Sequence, residues 1–442
     1  MGLQATAAAD DGRPRQAMRE QRLLAVARAA AVTILIGALM SPPLANIGAF
    51  VLLVSFALLP SARQRLAVAM ALPVARAALL MLAVLAVAML WSDAPLAQRL
   101  RAWGDWRPLL LLLFCLSIFD DAAARRRALI ALIVVASLAA VYSFWAWAKG
   151  VSPAGIGHGL PGIVARNSTT QGMGFAAACF LALMLVVGDR GIDRRARSML
   201  AAASLLLLAN LVFVTSGRSG HLMLLIMLAT AGVQLLAGWR RAAVIIALPV
   251  LAAVAFSVSP MLQTRFGMAI QELRAPMASA QITSMGIRTV MWQVSWQMAR
   301  ERPVLGYGMG GFPAAYERAI KQSSFTGWAA TPTVDPHNQY LQVHLQAGIA
   351  GSAAFAWFLL SVFRSRGGRP HSAWARAILL GWCAAGLATS VFTTFAESHI
   401  LMVLLGILLA GASGEVVASS SPPVPAESGP DATGALTGGR AS

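Results

Sequence analysis

Apolar runs long enough to approach or cross a bilayer recur twelve times along the chain, and no other feature restricts its fold so strongly. They lie at roughly 23–40, 44–60, 68–91, 106–119, 128–148, 170–187, 198–215, 219–238, 242–259, 339–362, 374–394 and 398–413. A helix needs about 20 apolar residues to cross the hydrocarbon layer. Inside lipid a backbone satisfies its own polar groups only as helix or closed barrel, and uninterrupted runs without alternation select helix. The expected fold is an all-α integral membrane protein with about twelve transmembrane helices. Composition agrees, since 58% of the 442 residues are hydrophobic and 12% are charged, against about 45–50% and 25% in soluble domains.

A formal charge of +18 would suggest nucleic acid in a soluble chain. In a membrane protein such charge is first a matter of topology, because inner loops carry the surplus of Lys and Arg. With twelve spans and both ends cytoplasmic, every inner segment is basic. The N-terminus has Arg13, Arg15, Arg19 and Arg22, and later inner loops carry Arg63 and Arg65, then Arg125, Arg126 and Arg127. Arg190, Arg194, Arg195 and Arg197 follow, then Arg240 and Arg241, then Arg364, Arg366 and Arg369. Run 106–119 is the weakest span, and dropping it scrambles this pattern. Arg28, Arg76 and Arg376 fall in or at the ends of spans, where snorkelling suits them. Thirteen basic residues remain outside beside seven carboxylates, Asp93, Asp105, Glu272, Glu301, Glu317, Asp335 and Glu397. The outer face is thus positive and calls for an anionic partner; no nucleic acid is expected.

Organisation follows from the same map. Residues 1–22 read as a cytoplasmic N-terminus and 23–413 as one polytopic domain. Within it, 260–338 is a large outer loop. Its stretch 285–303 has helical spacing, with Trp292 and Trp296 at i,i+4, and suits a helix lying at the interface. The first apolar run lacks a clean small-residue cleavage site after it and reads as a retained anchor. Residues 414–442, rich in Ser, Pro, Gly and Ala, read as a disordered cytoplasmic tail. Cys115, Cys179 and Cys383 each sit in an apolar run, as packing residues do.

The chain has no Walker A motif, no Gly-rich strand-to-helix fingerprint and no outer acidic pair at metal-ligand spacing, so neither cofactor nor metal is expected. GYGMGGF (306–312) reads as a turn. Arg218, in the tight polar turn TSGRSG, is either a helix-end arginine meeting lipid headgroups or a guanidinium awaiting a phosphate. The planar fork of arginine engages phosphate oxygens two at a time. Arg265 and Arg288 in the outer loop are either helix-surface arginines or further guanidinium groups for a phosphate, and Arg166, beside Asn167, is a weaker candidate. His337, after Asp335-Pro336 and before Asn338, stands at the mouth of a span near these arginines and is a candidate for acid–base work. His344, two turns further in, suits a buried hydrogen bond. Glu397, in FAESHI, is either a helix-end carboxylate or a group orienting an acceptor or His337.

These residues resemble the bacterial O-antigen ligases, within a wider group that includes O-antigen polymerases and protein O-oligosaccharyltransferases. The carrying motif is His337-Asn338, nine residues, Gly348, two residues, Gly351. RTVMWQVSWQMARERPVLGYGMGGF resembles the family's arginine–helix–Pro–Gly block. TSGRSG resembles its arginine turn, with Gly217 where the family often has Ser. The resemblance implies a membrane glycosyltransferase fold of the GT-C type, whose large periplasmic loop contains short amphipathic helices. It also implies a bacterial inner-membrane location with both termini cytoplasmic. The implied donor is O-antigen on undecaprenyl diphosphate and the implied acceptor lipid A–core, with no metal or nucleotide. Arg218, Arg265 and Arg288 would then hold the diphosphate, and His337 would be a general base or a further phosphate ligand. Asn338, Arg166 and Glu397 would contact substrate. The nearest rivals are a polymerase and a protein oligosaccharyltransferase. A non-catalytic polyprenyl-glycan flippase is the rival from another class, but its charges should gather near the midplane of the spans.

Overall fold

The computed structural model describes residues 12–153, 160–189, 191–274, 284–365, 368 and 370–410. The expected tail at 414–442 lies outside the described residues. Helices α1 (Gly12–Met40), α2 (Pro42–Ala57), α3 (Ala62–Met70), α4 (Pro73–Val87), α5 (Leu96–Gly104) and α6 (Pro108–Ile118) come first. Next are α7 (Ala122–Ala148), α8 (Ser168–Gly188), α9 (Arg194–Phe213), α10 (Arg218–Leu235) and α11 (Gly238–Val258). The large loop contributes α12 (Pro260–Arg274), α13 (Ser284–Glu301) and α14 (Phe312–Gln322), and α15 (Gln339–Arg364), α16 (His371–Ala385) and α17 (Phe395–Leu409) complete the bundle. Among the described residues there is no β-strand. The chain is an all-α membrane protein.

Local chemistry sets the helix starts. Asp121, Asn167, Asp193 and Asn338 each accept hydrogen bonds from the first-turn amides of α7, α8, α9 and α15, satisfying donors that have no partner inside the helix. Proline opens α2, α4 and α6, where its missing N–H costs nothing.

Each of the twelve apolar runs contributes a helix, and among the described residues seven helices are individually long and apolar enough to cross a membrane: α1, α7, α8, α9, α10, α11 and α15. An eighth span is gained if α2 and α3, bent by 107° at their junction, count as one broken span. The remaining runs form short helices: α4, α16 and α17 have 15 residues each and α6 has 11. The twelve runs thus divide into long apolar helices and shorter ones. A helix enclosed by other helices does not have to match the lipid thickness, and α17 is enclosed, with every residue from Ala396 to Ala410 buried. The exposed window of α11 is the opposite case, with no buried residue.

Small residues let these helices approach. Lipid tails are as apolar as leucine, so helices in a bilayer associate through close packing rather than hydrophobic exclusion. A Cβ added at Gly174 would reach the Leu39 side chain at 2.6 Å, and one at Gly381 the Met223 side chain at 2.6 Å. Arg28, expected to snorkel, instead donates to the Ile118 carbonyl at 2.7 Å and pairs with Asp120 at 2.7 Å.

Candidate functional site

Four helices, α8, α10, α15 and α17, start at the same end of the bundle. The polypeptide at the first two comes into backbone contact. A Cβ on Gly220 would lie 2.5 Å from the Gly172 carbonyl carbon, and one on Gly217 would collide with the Ser168 carbonyl oxygen. Arg166, two residues before α8, and Arg218, the first residue of α10, therefore flank neighbouring helix N-termini. Among the described residues neither side chain has a hydrogen bond or an ion pair. Helix starts carry unsatisfied N–H groups and the positive end of the dipole, which adds to the two guanidinium charges.

A buried polar network fixes this pair of turns. Gln171 receives hydrogen bonds from the backbone N–H groups of Val164 (2.8 Å) and Ala165 (3.3 Å), and donates to Ser143 Oγ (3.1 Å) and Thr215 Oγ1 (3.3 Å). Asn210 donates to Ser143 Oγ (2.9 Å) and accepts from Thr215 Oγ1 (3.0 Å). His221 closes the far side, with Nε2 at 2.6 Å from the Leu211 carbonyl and Nδ1 at 3.1 Å from that of Gly217. Sequence reasoning did not single out Gln171, Asn210 or His221 for this task, and their polar character inside apolar runs was the available signal.

His337 has the one positive-φ backbone among non-glycine residues described, at φ 49°. Three groups hold it there. Its N–H donates to Asp335 Oδ1 at 2.7 Å, and the same oxygen accepts from Ser390 Oγ at 2.6 Å. Trp292 Nε1 donates to its carbonyl at 3.2 Å. No hydrogen bond engages the imidazole itself, and its Nδ1 is buried without a partner. A buried polar atom left open in a constrained, strained residue marks a place where a ligand atom can complete the set. Trp292 thus serves His337, whereas Trp296 is 61% exposed.

Arg288 is half-buried on α13, one helical turn before Trp292 and on the same face, which points it toward the His337 side. Arg218 belongs to the same end. Contact of Gly381 with Met223 sets the last turn of α16 beside the first of α10. The turn after α16 then accepts from Gln339 N (Gly386 O, 2.8 Å) and Asn338 Nδ2 (Leu387 O, 3.0 Å). Arg265 lies on α12, the helix between α11 and α13, with its side chain outside the described residues.

Two residues expected to contact substrate have structural hydrogen bonds. The Asn338 carbonyl caps α15 through Tyr340 N (3.0 Å) and Leu341 N (3.1 Å), and its amide is engaged at Leu387. Glu397, 5% exposed, accepts from Thr170 Oγ1 at 2.6 Å and has no hydrogen bond to His337; it ties the start of α17 to that of α8. His344 has the buried hydrogen-bonding role expected of it, with Nδ1 at 3.1 Å from Ser352 Oγ. The structure adds a loop the sequence left apart: Asp105 lies within electrostatic reach of Asp335, and Arg107 covers the Phe395 ring at 5.7 Å. Desolvation holds the Asp105 carboxyl above the usual carboxylate range; Asp335 raises it further, and Arg107 and Arg101 oppose the rise.

The glycine turn explains the rest of the histidine motif. α15 is broken at Ala347 and Gly348, where φ is −145° and 58°. Into that break fits the segment 303–307: Ile349 N donates to the Pro303 and Val304 carbonyls at 3.2 Å, and Tyr307 N to that of Leu345 at 2.7 Å. A Cβ at Gly348 would collide with the Val304 carbonyl oxygen, so only glycine fits. Beyond it, Ser92 Oγ donates to Met309 O at 2.7 Å and anchors the turn on the loop after α4.

Residues 203–356 match the family model described as O-antigen ligase. That stretch runs from α9 into α15 and includes Arg218, Arg265, Arg288, His337 and the broken helix, while Arg166 and Glu397 lie outside it. No curated protein matches the chain. A multi-pass helical bundle with this matched stretch is a membrane protein carrying a domain of the O-antigen ligase family, a glycosyltransferase-like enzyme of ligase or polymerase type.

Proposed function

We propose that this protein transfers a glycan from undecaprenyl diphosphate to lipid A–core at the periplasmic face of the bacterial inner membrane, without metal or nucleotide. The observation that carries this reading is the pairing of unengaged groups at one end of the bundle. Among the described residues Arg166 and Arg218 have no hydrogen-bond or ion-pair partner at two touching helix starts, and His337 is constrained in backbone while its ring is open. Guanidinium groups and helix N-termini suit a diphosphate. A histidine beside them suits the hydroxyl that attacks.

In this mechanism the acceptor hydroxyl oxygen forms a bond to the anomeric carbon of the glycan. The bond from that carbon to the diphosphate oxygen breaks, and its electron pair passes to the diphosphate. The hydroxyl proton goes to the imidazole of His337. Arg218, Arg288 and Arg265 take up the charge that grows on the leaving group, a contribution largest in the transition state. Attack opposite the diphosphate inverts the anomeric centre. Asp335 acts on His337 through its backbone N–H, so it is a positioning residue.

The test mixes the purified chain with lipid-linked O-antigen and lipid A–core in detergent, with EDTA and without ATP. The expected product is glycan joined to core lipid. Lengthened lipid-linked glycan would identify a polymerase instead, and no product with either acceptor would end the transferase reading.

A further inference from the structure

The large loop carries a small core in which α13, α14 and the turn Gly327–Ala330 pack with Tyr307 and with Leu345 of α15, separate from the main cluster of the bundle. Against it opens a cavity of about 200 Å³ lined by Ile287, Val290, Met291, Tyr316, Trp328 and Thr331 among others. No charged side chain lines it. Among the described residues the Trp328 indole N–H, the Tyr316 hydroxyl and the Thr331 hydroxyl make no hydrogen bond, although Tyr316 is 1% exposed. Burial pushes the Tyr316 hydroxyl up to about 12, so it keeps its proton and remains a donor.

Aromatic faces beside aliphatic side chains, with free neutral donors and no charge, match one ligand chemistry. A pyranose offers a face of C–H groups to stack on a ring and hydroxyls to meet neutral donors. We propose that this cavity is a glycan subsite that takes a neutral pyranose bearing an apolar substituent, a methyl or acetyl group, from the donor chain. The proposal rests on the glycan-transfer reading and adds to it a place for a sugar beyond the one being transferred.

The helix geometry gives that spacing. Since successive residues turn by 100°, Met291, Ile287 and Val290 lie about 60°, 100° and 160° around α13 from Arg288, so the cavity opens on another face of the helix than the one carrying Arg288 and Trp292. It also sits in the loop's core rather than in the bundle. A donor chain leads away from its lipid, whereas an acceptor core leads back toward the membrane, so the donor is the chain that reaches here.

Two measurements decide the matter. Saturation-transfer NMR on the full chain in detergent should show methyl rhamnoside and methyl N-acetylglucosaminide bound more tightly than methyl glucoside. Trp328→Ala should weaken them by about 3- to 10-fold, and Tyr316→Phe, which removes one hydroxyl and keeps the packing, should weaken them less. In transfer assays, Trp328→Ala should raise KM for a donor bearing a full repeat unit more than for a donor bearing one sugar. Equal shifts for both donors, a shift in acceptor KM alone, or binding of farnesyl phosphate in place of the glycosides would overturn the assignment. Loss of transfer with every donor would strike the proposed function instead, and the NMR arm would still decide the cavity.

Discussion

At the end of the bundle where α7 starts, arginines face carboxylates: Arg28 and Arg65 both pair with Asp120 at 2.7 Å, Arg126 with Asp189 at 3.8 Å and Arg127 with Asp121 at 3.8 Å. At the other end Arg166 and Arg218 have no such partners among the described residues, although Asp335 and Glu397 lie in the same region. Those carboxylates are spent on a backbone N–H and two hydroxyls. Charge pairs thus close several arginines at one end, although Arg63, Arg194 and Arg195 there have no ion pair, and among the described residues Arg166 and Arg218 are open to a charge from outside.

This contrast can be broken by measurement. The largest effect should come from His337→Ala, which should lower transfer by about 10²–10⁴ while expression and detergent stability persist; near-normal turnover would remove the histidine from the chemistry. Arg218→Lys keeps the charge and loses the fork, and should cost about 10²–10³ in rate. A similar loss from Arg28→Lys at the paired end would erase the distinction between the two ends. Asp335→Ala should lower kcat by about 10- to 100-fold through misplacement of His337, with donor KM nearly unchanged. Arg126→Gln, in an exposed pair, should cost at most about 1 kcal/mol of stability and leave the rate alone.

The smallest effect concerns Asp105. Its carboxyl titrates above the ordinary value, so its favourable share of stability is complete in acid and lost as the pH rises through the raised value. Asp105→Asn should then raise the thermal midpoint slightly at neutral pH and leave it unchanged in acid. A midpoint that fell at neutral pH would show that the charged form is the one being held.

Much of this architecture is legible in the sequence because its signals are local. Asp121, Asn167 and Asp193 stand where helix caps must stand, and the polar turn around Arg218 interrupts two apolar runs. His337 is visible as a polar group at the start of a span. What stays hidden depends on neighbours. An apolar run reads alike whether lipid or protein surrounds it, so α17, enclosed, and α11, with no buried residue, gave one signal. Trp292 and Trp296 look equivalent at i,i+4, yet one holds the His337 carbonyl and the other faces outward. Asn338 was readable as a cap, being an Asn directly before a helix, and its nearness to His337 drew attention to substrate instead. The role of Asp335 needed φ of the next residue but one, which no pattern encodes.

The break in α15 limits how the outer loop can move. Pro303, Val304 and Tyr307 share hydrogen bonds with residues 345–349, and Ser92 clasps Met309 from the other side. To lift that loop away, all of these bonds would have to part together inside a tight glycine seam. The segment that follows α13, the helix of Arg288, and the middle of α15, which His337 precedes, are consequently joined. Their separation behaves as a fixed gauge rather than an adjustable gap, and a substrate must be cut to its length.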